Sequence, residues 1–188
     1  MNDVLAAAVE LQTFIQAREW SFCIIGGIAL ARWGQPRATA DADATLLTGF
    51  GNEEFFIDIL LAEFNARTTN PKEFALQNRV LLLRSSQGIG LDVALGGLPF
   101  EENLVSRATD YDFGMNAHLL TASAEDMVVL KSFAGRSQDW TDVEGIIIRQ
   151  SEKLNWDLVL KELQPLCQLK ESPETVERLL ALRDKLTE

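Results

Sequence analysis

Residues 24–47 read IIGGIALARWGQPRATADADATLL. An apolar run, Phe22 to Ile25, stops at the glycine pair Gly26-Gly27. A short apolar stretch follows, and then Asp41 and Asp43 stand two residues apart, flanked by Ala42, Ala44 and Leu46. On a strand, residues two apart point to the same side. Two carboxylates on one face beside an apolar run repel each other and lose hydration. A cation between them relieves both penalties, and carboxylates without histidine or thiolate suit a hard divalent ion such as Mg²⁺.

Working outward, the spacing of Val4, Leu5, Ala8, Leu11, Phe14 and Ile15 predicts a helix over 3–18. Phe22 to Ile25 reads as a buried strand, Ile28 to Trp33 as a helix ended by Gly34 and Pro36, and Asp41 to Leu47 as the next strand. Helical spacing returns over 53–64. Runs at 79–84 and 89–95, joined by Ser-Ser-Gln-Gly, read as a hairpin whose second arm carries Asp92. Pro99 opens a helix to Arg107. After residue 120 the pattern is helical. Ser123-x-x-Asp126 resembles a capping box, with Met127, Leu130, Phe133 and Ala134 as the expected buried stripe. Further helices are expected at 139–150, from Asn155 up to Pro165, and from Ser172-Pro173 with Val176, Leu179, Leu180 and Leu186 inward. No repeat or low-complexity linker separates the parts. The fold class is α/β in the α+β sense: a small mixed sheet with flanking helices over 1–120, and a helical layer over 121–188 packed on it.

The 188 residues suit one domain with a helical appendage, and 47% apolar content supports a true core. A net charge of −11 argues against a broadly basic nucleic-acid-binding surface. Cys23 and Cys167 fit buried apolar positions, and a single histidine, His118, makes a zinc site improbable. With no signal-peptide pattern and no span-length apolar segment, a cytoplasmic protein with no membrane partner is expected.

The order Gly26-Gly27, then Arg37-x-Thr39-x-Asp41-x-Asp43, then Asp92 resembles the signature of the polymerase-beta-like nucleotidyltransferase superfamily. The segment SAEDMVVLKSFAGRSQDWTDVEGIII, 123–148, is similar to the Lys-x-x-Ala and Arg-x-x-Asp-x-x-Asp region of AbiEii/MenA-like bacterial nucleotidyltransferases of toxin type. Residues 20–150 carry the likeness. It implies a nucleotidyltransferase core, an NTP substrate and a pair of Mg²⁺ ions held by Asp41, Asp43 and Asp92. It also places Gly26, Gly27, Arg37, Thr39, Lys131 and Arg136 at the nucleotide, with Lys131 and Asp139 joining the carboxylates in the chemistry. Much of the superfamily carries serine at or just after the second glycine. Here Gly27-Ile28 supplies no hydroxyl, so backbone amides must take that phosphate contact. Other readings of single residues stay open. Arg37 also suits pairing with Asp41 or Asp43, and Asp139 suits pairing with Arg136, orienting Lys131 or capping the helix it begins. Arg67, Lys72, Arg79, Arg84 and Arg107 read either as an RNA-facing groove or as singly solvated charges.

Function follows as an expectation: NMP transfer from an NTP to an RNA such as a tRNA end, or to a protein hydroxyl, in a toxin with an antitoxin partner. Two alternatives stand beside it. One is a nucleotidyltransferase for a small molecule of aminoglycoside type, whose polycationic acceptor suits the acidic balance. The other is a non-catalytic nucleotide- or partner-binding module on the same fold.

Overall fold

The computed structural model describes residues 2–187, with side chains from 3 to 186. The strands are β1 (Phe22–Ile24), β2 (Asp41–Leu47), β3 (Asn65–Ala66), β4 (Val80–Arg84), β5 (Gly90–Gly96), β6 (Thr109–Asp112) and β7 (His118–Thr121). They form one sheet in the order β3-β4-β5-β2-β1-β7-β6. The sheet is mixed: β2 runs parallel to β5 and β1 parallel to β7, while the other neighbours are antiparallel. The helices are α1 (Asn2–Gln16), α2 (Gly26–Trp33), α3 (Glu53–Glu63), α4 (Pro71–Asn78), α5 (Pro99–Arg107), α6 (Ala124–Ala134), α7 (Ser137–Gln150), α8 (Trp156–Leu169) and α9 (Glu174–Thr187). None is long and apolar enough among the described residues to cross a membrane.

The chain divides into two compact units. One runs through Ile28 and resumes over Arg37–Ala122, and it holds the whole sheet. Its core lies on one sheet face. Ala42, Ala44 and Leu46 of β2, Leu91, Val93 and Leu95 of β5, and Leu81 and Leu83 of β4 are buried there with Val4, Leu5, Ala8, Leu11 and Ile15 of α1. Strand alternation therefore sends Asp41, Asp43 and Asp92 to the other face. The hairpin turn closes as its composition requires: Gly88 takes φ +81° and donates its N–H to Ser85 O at 2.9 Å.

The second unit comprises Ala29–Pro36 and the chain from Ser123 onward. Arg149 Nη1 donates to Gly34 O at 2.6 Å and Gln150 Nε2 to Trp33 O at 2.6 Å, which ties the end of α2 to α7. Ser123 caps α6 by accepting the Asp126 N–H at 3.1 Å.

Three expectations need correction. In α6 the buried residues are Ala124, Asp126, Met127, Val128, Val129, Lys131 and Ser132; Leu130 and Phe133 are half-buried and Ala134 is exposed. The helix is enclosed by α7, α8 and α9, so its buried arc is wider than one amphipathic stripe and lies elsewhere. Pro165 does not end α8, which continues through it to Leu169. The ring is exposed, and the residues on either side of the missing bond keep their helical run. The sequence reading also had no elements at β3, α4, β6 and β7. All four residues of β6, Thr-Asp-Tyr-Asp, are exposed at the sheet edge, so no apolar alternation marks them.

Candidate active site on the parallel strand pair

The parallel pairing of β2 with β5 puts Asp43 opposite Asp92 and Asp41 opposite Gly90. The structure thus brings all three carboxylates to one face over two neighbouring strands. Each is half-buried, while Ala42, Ala44, Leu91 and Val93 between and beside them are fully buried. The rigidity of the site comes from those apolar neighbours, which lock the pleat in register.

Two glycines make room for it. Gly26 opens α2 with φ +62°, and a Cβ there would run into the carboxylate of Asp43. Its neighbour Ile25 donates its N–H to Asp43 O at 2.9 Å, so the β1–α2 turn is stitched to β2 at this point. Gly90 does the same for Asp41: a Cβ there would occupy the place of Oδ1. The sequence singled out Gly26 and Gly27 but not Gly90, because its role depends on a strand 49 positions away (90 − 41). At Gly27 a Cβ would lie 2.6 Å from Thr39 Oγ1. Thr39 itself donates to Asp41 O at 3.1 Å, bracing the start of β2. Arg37 Nη1 donates to Ala38 O at 3.3 Å.

A cation on this face is Arg67, just after β3. Its Nη1 lies 3.6 Å from Asp41 Oδ1, and its Nη2 donates to Asp92 Oδ1 in a short ion pair. The sequence offered Arg67 as one of five scattered cations and did not place it with the carboxylates, since an isolated arginine beside a two-residue strand carries no periodicity. Of the other middle-third cations, Lys72 pairs with Glu54 at 2.8 Å and Asp58 at 3.0 Å. Arg79 pairs with Glu53 at 2.5 Å, and this hydrogen bond, foremost among its surroundings, holds the Glu53 carboxyl below its ordinary range. Arg84 Nη1 donates to Gly88 O at 3.3 Å.

Lys131, Arg136 and Asp139 meet in the second unit. Lys131 is buried, with Nζ 3.1 Å from Asp139 Oδ1 and 2.8 Å from Asp142 Oδ2. Arg136 spans the α6–α7 turn to Asp139 through Nε at 2.6 Å and Nη2 at 3.1 Å, and its backbone N–H donates to the same carboxylate at 3.2 Å. Asp139 therefore both caps α7 and holds Lys131. Burial alone would raise the Asp139 carboxyl. The hydrogen bonds from Arg136 and Lys131, with their charges, outweigh it and hold the group below its ordinary value.

Among the described residues no three carboxylate, histidine or cysteine side chains stand together as a ready-made metal cluster. The donor chemistry of the β2–β5 face nonetheless fits a hard cation. It offers carboxylate oxygens only, two of them cleared of Cβ atoms by glycine, and it already holds a positive group, Arg67, between Asp41 and Asp92.

No family model matches the chain, and no curated protein matches it. Among solved structures it is similar to lincosamide antibiotic adenylyltransferase LnuA with lincomycin bound (11% identity, TM-score 0.49, covering 72% of this chain and 91% of that one). It is also similar to ANT(2″)-Ia in complex with adenylyl-2″-tobramycin (15% identity, TM-score 0.47, covering 96% and 97%). A further likeness is to an antigenic nucleotidyltransferase-like protein from Paracoccidioides brasiliensis, at 19% identity and a TM-score of 0.52 over 95% of this chain and 93% of that one. That last likeness shows the fold: the chain has the mixed α/β architecture of a nucleotidyltransferase-like protein.

Proposed function

We propose that this protein transfers an NMP unit from an NTP to a hydroxyl acceptor, with Mg²⁺ held by Asp41, Asp43 and Asp92. One observation supports the reading above the others: three carboxylates share one face of the parallel β2–β5 pair, beside the glycine-led start of α2. In the reaction the acceptor oxygen bonds to the α-phosphorus, the α–β phosphoanhydride bond breaks, and pyrophosphate leaves. Divalent ions supply charge neutralisation to the triphosphate and to the attacking and leaving oxygens. Asp41 and Asp43 would hold such ions from β2. Asp92 would complete the set on the acceptor side and would take the acceptor proton. The first amides of α2, at Gly26 and Gly27, stand at a helix N-terminus and suit a phosphate oxygen. Arg37 and Thr39 approach the nucleotide from the start of β2. The assignment of Lys131, Arg136 and Asp139 to the triphosphate stays with the sequence resemblance. ATP titration of Lys131→Ala tests the lysine, and unchanged affinity removes Lys131 from the site.

For the acceptor, the AbiEii/MenA resemblance favours an RNA end or a protein hydroxyl, and with it a toxin restrained by an antitoxin. A second reading, a polycationic small molecule, is favoured by the net charge of −11 and by the pairing of Lys72 and Arg79 with glutamate and aspartate. Incubation with each labelled NTP and Mg²⁺, alone, with total RNA, or with an aminoglycoside, separates these. Label in RNA or in the protein supports the first acceptor, and label in the small molecule the second. No label under any condition, with nucleotide still bound, leaves the non-catalytic module and overturns transfer.

A further inference from the structure

We propose that Arg67 is the resident counter-ion of the carboxylate face and becomes a ligand for the nucleotide's phosphates when divalent ions take its place. The proposal rests on the reading of this face as a nucleotide and metal site. Without a cation, Asp41, Asp43 and Asp92 repel one another on half-buried strands. Arg67 answers two of them, at Asp41 Oδ1 and Asp92 Oδ1. Its backbone is fixed, since the Arg67 N–H donates to Leu82 O at 2.9 Å across the sheet edge, so any change must come from the side chain. Gly90 leaves the space the guanidinium needs: its missing Cβ would lie 3.0 Å from Nη1.

The arrangement is incomplete. A guanidinium offers five N–H donors. Here Nε is buried with no acceptor, and the neighbouring Thr68 Oγ1 is buried without a partner as well. Buried unsatisfied donors cost free energy, so this rotamer is held by the carboxylates rather than by its surroundings. A divalent ion carries twice the charge and seeks the same oxygens. Once it binds, Arg67 faces a cation of like sign and loses both carboxylate partners. The anion that arrives with the metal is the triphosphate, whose planar oxygen pairs match a guanidinium fork. Charge exchange of this kind makes metal binding weak before nucleotide arrives and strong with it.

The test uses the full chain, with Mn²⁺ binding followed by electron paramagnetic resonance and ATP binding by calorimetry in Mg²⁺. Without nucleotide, Arg67→Gln should bind Mn²⁺ on the order of ten-fold more tightly than wild type, and ATP on the order of ten-fold more weakly. Arg67→Lys, which keeps the charge, should return the Mn²⁺ affinity toward wild type. Equal Mn²⁺ affinity in Arg67→Gln and wild type overturns the counter-ion role, and equal ATP affinity overturns the phosphate role. In the wild-type chain itself, the Arg67 Nε–H resonance should shift when Mg²⁺ and ATP are added. An unmoved resonance at saturation overturns the exchange whether or not the variants fold. Tighter Mn²⁺ binding in Arg67→Gln together with no transfer by the wild-type chain to any acceptor would leave Arg67 as the counter-ion and remove the transfer reading instead.

Discussion

Replacing Lys131 with methionine keeps the length of the side chain and removes its charge. In the folded protein Asp139 and Asp142 expose only 2% and 3% of their side chains, and Lys131 exposes 9%. Breaking a buried ion pair by removing one partner costs about 3–5 kcal/mol, because the other charge is left without compensation. Arg136 still serves Asp139 at 2.6 Å and Gln138 still reaches Asp142 at 3.2 Å, which places the expected loss at the lower end, about 3 kcal/mol. Urea denaturation followed by tryptophan fluorescence measures it, since Trp140 is buried on α7. The sign of the pH effect follows from Asp139. Its folded pKa lies below 3.8, so its contribution is present above that value and is lost as pH falls through the folded pKa. The gap between wild type and variant should therefore be widest at neutral pH and close on acidification, because a protonated carboxyl needs no ammonium. Adding Asp142→Leu to the variant should recover more than half of the loss. A cost under about 1 kcal/mol, or a gap that does not narrow at all as pH falls below 3.8, would refute the claim that an unpaired buried charge is what Lys131 prevents.

Gly90→Ala should leave the melting temperature nearly unchanged, since the clash falls on the end of the Asp41 side chain, yet lower transfer by about 10²-fold through misplacement of that carboxylate; full activity would remove Asp41 from the site. Pro165→Ala should stabilise α8 by about 2 kcal/mol in urea melts, because the exposed ring gives up little packing while the backbone hydrogen bond is restored. His118 should titrate above 6.5, chiefly through its hydrogen bond with Asp110 and then through the charge of Asp112. Its contribution to stability is then complete below 6.5 and lost as pH rises through the folded value; a proton NMR midpoint at or below 6.5 would contradict this.

Local chemistry wrote much of the sheet unit into the sequence. The apolar run at 22–25, the glycine break, the Asp41–Leu47 alternation and the Ser-Ser-Gln-Gly turn each specify backbone conformation through neighbours a few residues apart. So does the cap at Ser123, whose hydroxyl meets an amide three residues on. These signals read correctly because the atoms that satisfy them are close in the chain.

What lay beyond the sequence was every relation set by distant segments. That Asp43 stands opposite Asp92 depends on β5 choosing β2 as its parallel neighbour, with α3, β3, α4 and β4 intervening in the chain. Arg67 became the cation of the carboxylate face only because β3 joined the sheet edge, and Gly90 became essential only because Asp41 crosses it. The α6 stripe moved because three helices surround it, and buried Lys131 found Asp142 beside the Asp139 that the sequence had already offered it. Alternation, turn and cap are short-range and legible; register, burial and charge pairing are long-range, and only the assembled sheet and the helical unit decided them.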